Sequence, residues 1–102
     1  MQMEVFATDE YKTWINGLRD RAGRSRVLLR VDRLIHGNAG LHRNLTEGVS
    51  ELKIHVGPGY RVYYSIREQR LLLLLAGGSK ATQNKDIQKA LEINRLFKEP
   101  PQ

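Results

Sequence analysis

An α+β fold is predicted by three features of apolar spacing: a period of 3.6 residues between Tyr11 and Ile35, a period of two between Glu51 and Ile66, and an unbroken apolar run from Leu71 to Ala76. A last stretch, around Ile87 to Leu91, returns to helical spacing. Helices set apart from a run of consecutive strands give one curled sheet with helices packed on it.

Met1 to Phe6 alternates weakly, with Met3 and Val5 on one side, and reads as an N-terminal strand. Thr8 offers a hydroxyl N-cap to a helix that opens with Asp9 and Glu10, both suited to its positive end. Tyr11, Trp14, Ile15 and Leu18 follow at i, i+3, i+4 and i+7, and the pattern breaks near Ala22–Gly23. A second helix is expected from about Ser25, its stripe formed by Val27, Leu28, Val31, Leu34 and Ile35, with Gly37 placed to stop it. The pair makes a helical hairpin, and Gly37 to Leu45 reads as a loop.

Beyond the loop, Leu52, Ile54 and Val56 face one way while Glu51, Lys53 and His55 face the other. The Gly57-Pro58-Gly59 turn leads to a second strand in which Val62, Tyr64 and Ile66 alternate with Arg61, Tyr63 and Ser65. Glu68-Gln69 makes the next turn. Leu71 to Ala76, apolar at every position, is expected as a central strand covered on both faces. Gly77-Gly78 ends it, Thr82 or Asn84 caps a last helix carrying Ile87, Ala90 and Leu91, Phe97 lies near its end, and Pro100-Pro101 lie beyond. No internal repeat is present, and 102 residues suit one domain over 1–102.

The longest apolar run has six residues, Leu71 to Ala76, against the roughly 20 that a spanning helix needs. Glu4, Asp9 and Glu10 stand where a secretory signal would be basic and then apolar, so a cytoplasmic location is expected. Without cysteine there is no disulfide, thiolate metal site or cysteine nucleophile. His36, His42 and His55 show no paired metal-ligand spacing, so no metal is expected. No glycine cluster has the spacing of a nucleotide-binding fingerprint, so no cofactor is expected. Seventeen Lys+Arg against eleven Asp+Glu leave +6, which suits a polyanionic partner. Arg19, Arg21, Arg24, Arg26, Arg30 and Arg33 are either a solvated helix face or a phosphate-binding ridge.

With the inward strand face committed to the core, the other face of the hairpin gathers Glu51, Lys53, His55, Arg61 and Tyr63, and Lys80 follows the third strand within reach. RNA cleavage by the neighbouring 2′-hydroxyl needs a base, cations around the pentacoordinate phosphate, and an acid for the leaving oxygen. Glu51 or His55 fits the base; Lys53, Arg61 and Lys80 fit the cations, Arg61 with bidentate geometry. The plainer alternative is a solvated sheet face on which Glu51 pairs with Arg61 for about 0.2–1 kcal/mol. His36, in the last turn of its helix, suits the helix dipole, and His42 is a polar loop residue.

The strings GVSELKIHVGPGYRVYY, Gly48 to Tyr64, and LLLLAGGSKATQNKDI, Leu72 to Ile87, closely resemble the addiction-module killer proteins of the RelE/ParE toxin superfamily. The likeness extends to the tryptophan-bearing first helix and the His36 to Gly40 loop. It implies a small α+β toxin of a type II toxin–antitoxin pair, neutralised by a cognate antitoxin, and RelE-like members cut mRNA in the ribosomal A site. Arg61 matches the arginine of the family's Tyr-Arg motif, Lys53 a basic strand residue, and Lys80 the basic residue after the last strand. These three are the phosphate-holding groups the resemblance implies; with Glu51 and His55 from the strand face, the expected catalytic set is Glu51, Lys53, His55, Arg61 and Lys80, and Arg43, Tyr63 and Lys85 are expected to bind RNA. Expected partners are the antitoxin, the ribosome with its mRNA, and operator DNA in the toxin–antitoxin complex, with no membrane. Glu51 stands where RelE has a strand lysine, and Asp86 and Ile87 occupy the region in which many active members carry a tyrosine or histidine. The second departure keeps two further readings open: a ParE-like gyrase poison, and a degenerate toxin that only binds antitoxin and operator DNA.

Overall fold

Thr8 performs two tasks with one hydroxyl. Its oxygen accepts the Tyr11 N–H at 3.2 Å, starting α1 (Asp9–Gly17), and donates to the Leu75 carbonyl at 2.8 Å, fastening that start to the sheet. In the computed structural model, which describes residues 2–97, β1 (Glu4–Ala7) precedes this cap. Pro100-Pro101 lies outside the described residues.

α1 buries Tyr11 and Ile15 and ends at Gly17, earlier than expected. Asp20 then caps α2 (Arg21–Ile35) by accepting the Gly23 N–H at 3.0 Å, so Ala22 and Gly23 lie inside its first turn and not in a break. Glycine is required there, because the Tyr60 ring and the Asp20 carboxylate fill the space a Cβ would take. α2 ends in a Schellman motif: Gly37, at φ +91°, donates to the Leu34 carbonyl at 2.9 Å, and Asn38 donates to that of Arg33 at 2.9 Å.

The expected loop from Gly37 to Leu45 contains a short strand, β2 (His42–Asn44), followed by β3 (Val49–Ile54), β4 (Tyr60–Arg67) and β5 (Leu71–Ser79). The sheet order is β1-β5-β4-β3-β2, with β1 parallel to β5 and every other pair antiparallel. The middle strand is therefore β4, not the Leu71–Ala76 segment, although that segment is covered on both faces as expected. Glu68 and Gln69 both take positive φ in the β4–β5 turn, the conformation that two-residue hairpins favour.

α1 and α2 cover one sheet face, packing Ile15, Val27, Val31 and Leu34 on Leu52, Val62, Tyr64 and Leu72. A 3₁₀ turn (Lys80–Thr82) leads into α3 (Gln83–Leu96), which covers the opposite face with Ala90 and Leu91 over Val49, Tyr63, Leu73 and Leu75. A bulge between Tyr63 and Tyr64 lets β5 place Leu75 and Ala76 on the same α3 side. Buried Asn94 fastens α3, accepting the Ser65 hydroxyl at 3.0 Å and donating to the Glu47 carbonyl at 3.0 Å.

The expected solvent face of the hairpin is therefore corrected. Alternation separates the two faces of a strand without saying what lies over each, and α3 lies over this one. Glu51 and Tyr63 are fully enclosed and Arg61 is 5% exposed. A buried Tyr63 offers no ring to RNA, which removes it from the RNA-binding set.

Candidate functional site

The β3–β4 turn bends sharply because Gly57 and Gly59 take φ of +53° and +76°. The Gly59 N–H closes the turn on the Val56 carbonyl at 3.0 Å, and the Lys80 N–H meets the Pro58 carbonyl at 3.4 Å. The last contact seats the 3₁₀ turn beside the hairpin. Between them lies an open cleft of about 340 Å³, lined by the turn together with His55, Arg61 and Lys80. A Cβ on Gly59 would stand 2.9 Å from Arg61 Nη1, so glycine leaves the guanidinium its place. A second cleft of about 360 Å³ runs from Lys80 to Lys85, and the two share Lys80.

Beneath the first cleft is a polar network. Arg61 Nη1 donates to the Gly59 carbonyl at 2.9 Å. Its Nε completes no hydrogen bond and lies 4.0 Å from Glu51 Oε2. That carboxylate accepts the Gln83 Nε2–H at 2.9 Å on Oε2, and Arg43 Nη2 stands 3.2 Å from Oε1, near enough for an ion pair but not aligned for a hydrogen bond. Two guanidinium groups face this one carboxylate. The Tyr63 hydroxyl completes no hydrogen bond of good geometry. Burial above all, then the neighbouring Glu51 carboxylate, push the Tyr63 phenol far above its ordinary pKa, with Arg61 opposing. It is a neutral phenol at physiological pH.

The structure thus brings His55, Arg61 and Lys80 to one cleft, and Lys85 to its neighbour. Lys53, half-buried, is the cross-strand partner of Arg61 and shares its sheet face. Arg43 is half-exposed on β2 and joins the network through Glu51. Gln83, which the sequence reading passed over, stands four residues before Ile87 and eight before Leu91. Extending that apolar stripe backwards would have placed it against the sheet. Asp86 accepts the Thr82 hydroxyl at 2.5 Å and its carboxylate lies over Gly78, the β5 partner of Arg61; a Cβ at Gly78 would overlap it.

Two of the six arginines of the helical hairpin have structural partners. Arg24 Nε donates to the Ile15 carbonyl at 3.1 Å, and Arg30 donates to the carbonyls of Lys53, Ala39 and Leu41 at 2.8, 3.0 and 2.9 Å. His36 and His42 each contact a nearby backbone carbonyl at 2.8 Å. Among the described residues no group of three or more His, Asp or Glu side chains could hold a metal ion, and no helix is long and apolar enough to cross a membrane.

No family model matches the chain. An uncharacterized protein of Haemophilus influenzae (strain Rd) is 36% identical over 90 residues, which are 88% of this chain and 91% of that protein. Among solved structures, the Escherichia coli toxin RelE, as a mutant in the free state, aligns with a TM-score of 0.73 over 95% of this chain and 100% of its own, at 14% identity. The fold is RelE-like.

Proposed function

We propose that this chain, which belongs to one family with the Haemophilus influenzae protein and has the RelE-like fold, is the toxin of a toxin–antitoxin pair that cleaves mRNA on the ribosome in the cytoplasm without a metal. The observation that carries this reading is the convergence of His55, Arg61 and Lys80 on one open cleft. The net charge of +6 suits the polyanion it would engage.

In this reading Arg61 and Lys80 hold the non-bridging oxygens of the scissile phosphate, Arg61 through its fork and Lys80 as a point charge. His55 is the base, being the exposed one of the two candidates. It takes the proton of the 2′-hydroxyl as that oxygen bonds to phosphorus. The bond from phosphorus to the 5′-oxygen breaks, and that oxygen takes a proton from water in the open cleft. The products are a 2′,3′-cyclic phosphate and a 5′-hydroxyl end. Lys53, Arg43 and Lys85 supply charge for phosphates on either side. The antitoxin neutralises this basic region with an acidic or amphipathic segment, and the toxin–antitoxin complex binds operator DNA.

The test is expression of the chain in bacteria without antitoxin, beside Arg61→Ala, with mRNA 5′-ends mapped within minutes of induction. New ends inside translated frames that vanish in the variant support the reading, since one lost phosphate donor lowers the rate on the order of 10²-fold or more. Growth arrest with unchanged mRNA ends overturns it in favour of a protein target such as gyrase, and undisturbed growth in favour of a chain that only binds antitoxin and DNA.

A further inference from the structure

The carboxylate under the cleft has no path to a substrate. Glu51 is fully enclosed, its Oε2 is taken by Gln83 at 2.9 Å, and its Oε1 faces Arg43 at 3.2 Å. A proton acceptor needs an oxygen within hydrogen-bond reach of the reacting group. Glu51 does, however, tie together three other elements around the site. It belongs to β3, stands 4.0 Å from Arg61 Nε on β4, faces Arg43 across the β2 edge, and holds the first residue of α3. Gln83 follows the 3₁₀ turn that begins at Lys80, so its bond to Glu51 also fixes where that turn ends.

Arg61 needs such a partner. Its guanidinium is nearly buried, has one hydrogen bond, to the Gly59 carbonyl, and leaves Nε without one. A buried charge held by a single neutral acceptor is poorly compensated unless a counter-charge stands close. Glu51 is that counter-charge, and at 4.0 Å it compensates the guanidinium without capturing its donors. Donors on the terminal nitrogens beyond the one given to the Gly59 carbonyl remain for an anion in the cleft, while the enclosed Nε faces Glu51.

We propose that Glu51 and Gln83 are positioning residues for Arg61: Gln83 orients the Glu51 carboxylate, and Glu51 holds the Arg61 guanidinium at the cleft without taking the terminal donors that Gly59 leaves free. The proposal rests on the reading of the cleft as the place where RNA is cleaved, and deepens it by giving the buried carboxylate a role other than base.

Two measurements on the full chain test it. The first needs no cleavage: the Arg61 Nε–Hε resonance, identified by its loss in Arg61→Ala, is followed in Gln83→Met, which keeps side-chain length and removes the donor, and in Glu51→Gln. The expected result is a shift of that resonance with solvent exchange faster by about tenfold in both variants. An unchanged resonance in both overturns the proposal. The second is the single-turnover cleavage rate of ribosome-bound mRNA for the wild type, Gln83→Met, Arg61→Ala and the double variant. Gln83→Met is expected to lower the rate about tenfold, the scale of a lost hydrogen bond to a charged group, with little change in KM, and to cause no further loss once Arg61 is alanine. Equal losses in both backgrounds overturn it, as does a Glu51→Gln variant that abolishes cleavage while its Arg61 resonance stays in place. If the wild type cuts no RNA, the cleavage reading fails and the resonance alone decides the positioning role. Glu51→Gln, nearly isosteric, keeps both tests open should Gln83→Met disturb α3.

Discussion

At Gly23 the room for one methyl group is already occupied by the Tyr60 ring and the Asp20 carboxylate. Asp20 accepts the Gly23 N–H and, at 2.8 Å, the Tyr60 hydroxyl, so a single carboxylate caps α2 and ties it to the first residue of β4. The Gly23 N–H foremost, and then the Tyr60 hydroxyl, hold the Asp20 pKa below the ordinary carboxylate value. Gly23→Ala should therefore destabilise the fold by about 1–3 kcal/mol although alanine is the better helix former, as read by the urea midpoint at unchanged slope. An unchanged midpoint would show that the cap and ring move aside freely. Tyrosines make the second case at this scale. Burial pushes Tyr11 up to about 12 against the opposing Arg24 charge, and it is the largest cause raising Tyr60, Tyr63 and Tyr64 as well. These are all four tyrosines of the chain. A raised folded pKa means stability that is complete below the ordinary phenol value of about 10 and is lost as pH rises through the folded values. Phenolate absorbance near 295 nm should thus rise at higher pH than for free tyrosine, and together with the loss of circular dichroism. A separate transition centred at 10 in the folded protein would contradict this burial.

Among the elements, β2 depends most on one side chain. Arg30 reaches from α2 to the carbonyls of Ala39 and Leu41 just before β2 and to that of Lys53 on β3. Burial lowers its pKa somewhat, but an arginine keeps its charge, so the three contacts are charge-assisted. Arg30→Met keeps much of the packing and removes all of them. It should lower stability by about 2–3 kcal/mol and speed amide exchange at His42 to Asn44 before that of β4. Uniform acceleration across the sheet would mean that β2 has no separate hold. This strand was also the least legible element in the sequence, because three residues are too few to show alternation and all three are exposed. The start of α2 was misread because glycine within a helix normally signals a break, and only the Tyr60 ring explains why it does not here. By contrast α1, α3 and β3 to β5 were legible, since each buries a face long enough to impose its period on the residues. The candidate site follows the same division. His55, Arg61 and Lys80 stand at strand ends and were readable from the strands. That α3 would cover Glu51 and Tyr63, and that Gln83 would bond the carboxylate, depends on which sheet face a distant helix chooses, which no local period records.

For the molecule as a whole, the question is where its excess of positive charge is free to act. Glu10 pairs with Lys89 at 3.2 Å, Glu47 with Arg95 at 2.6 Å, and Glu68 with Arg70 at 3.3 Å, while Glu51 faces Arg43 and Arg61. Among the described residues, cations beyond these pairs gather most closely in two regions: the exposed side of α2, with Arg21, Arg26 and Arg33, and the two joined clefts, with Lys80 and Lys85. Each region predicts a different RNA surface, and salt separates them. Binding to single-stranded RNA should weaken linearly in log–log form with added salt, at about 0.7 per phosphate neutralised. If the clefts hold the strand, Lys80→Gln should lower that slope by about 0.7 and weaken binding alike for different sequences, while Arg26→Gln should leave the slope where it was. The reverse pattern would make the α2 arginines the RNA surface and leave the clefts without their substrate. Equal changes in both would mean a strand that wraps from the site across α2, using the charge of the whole molecule and not of one end.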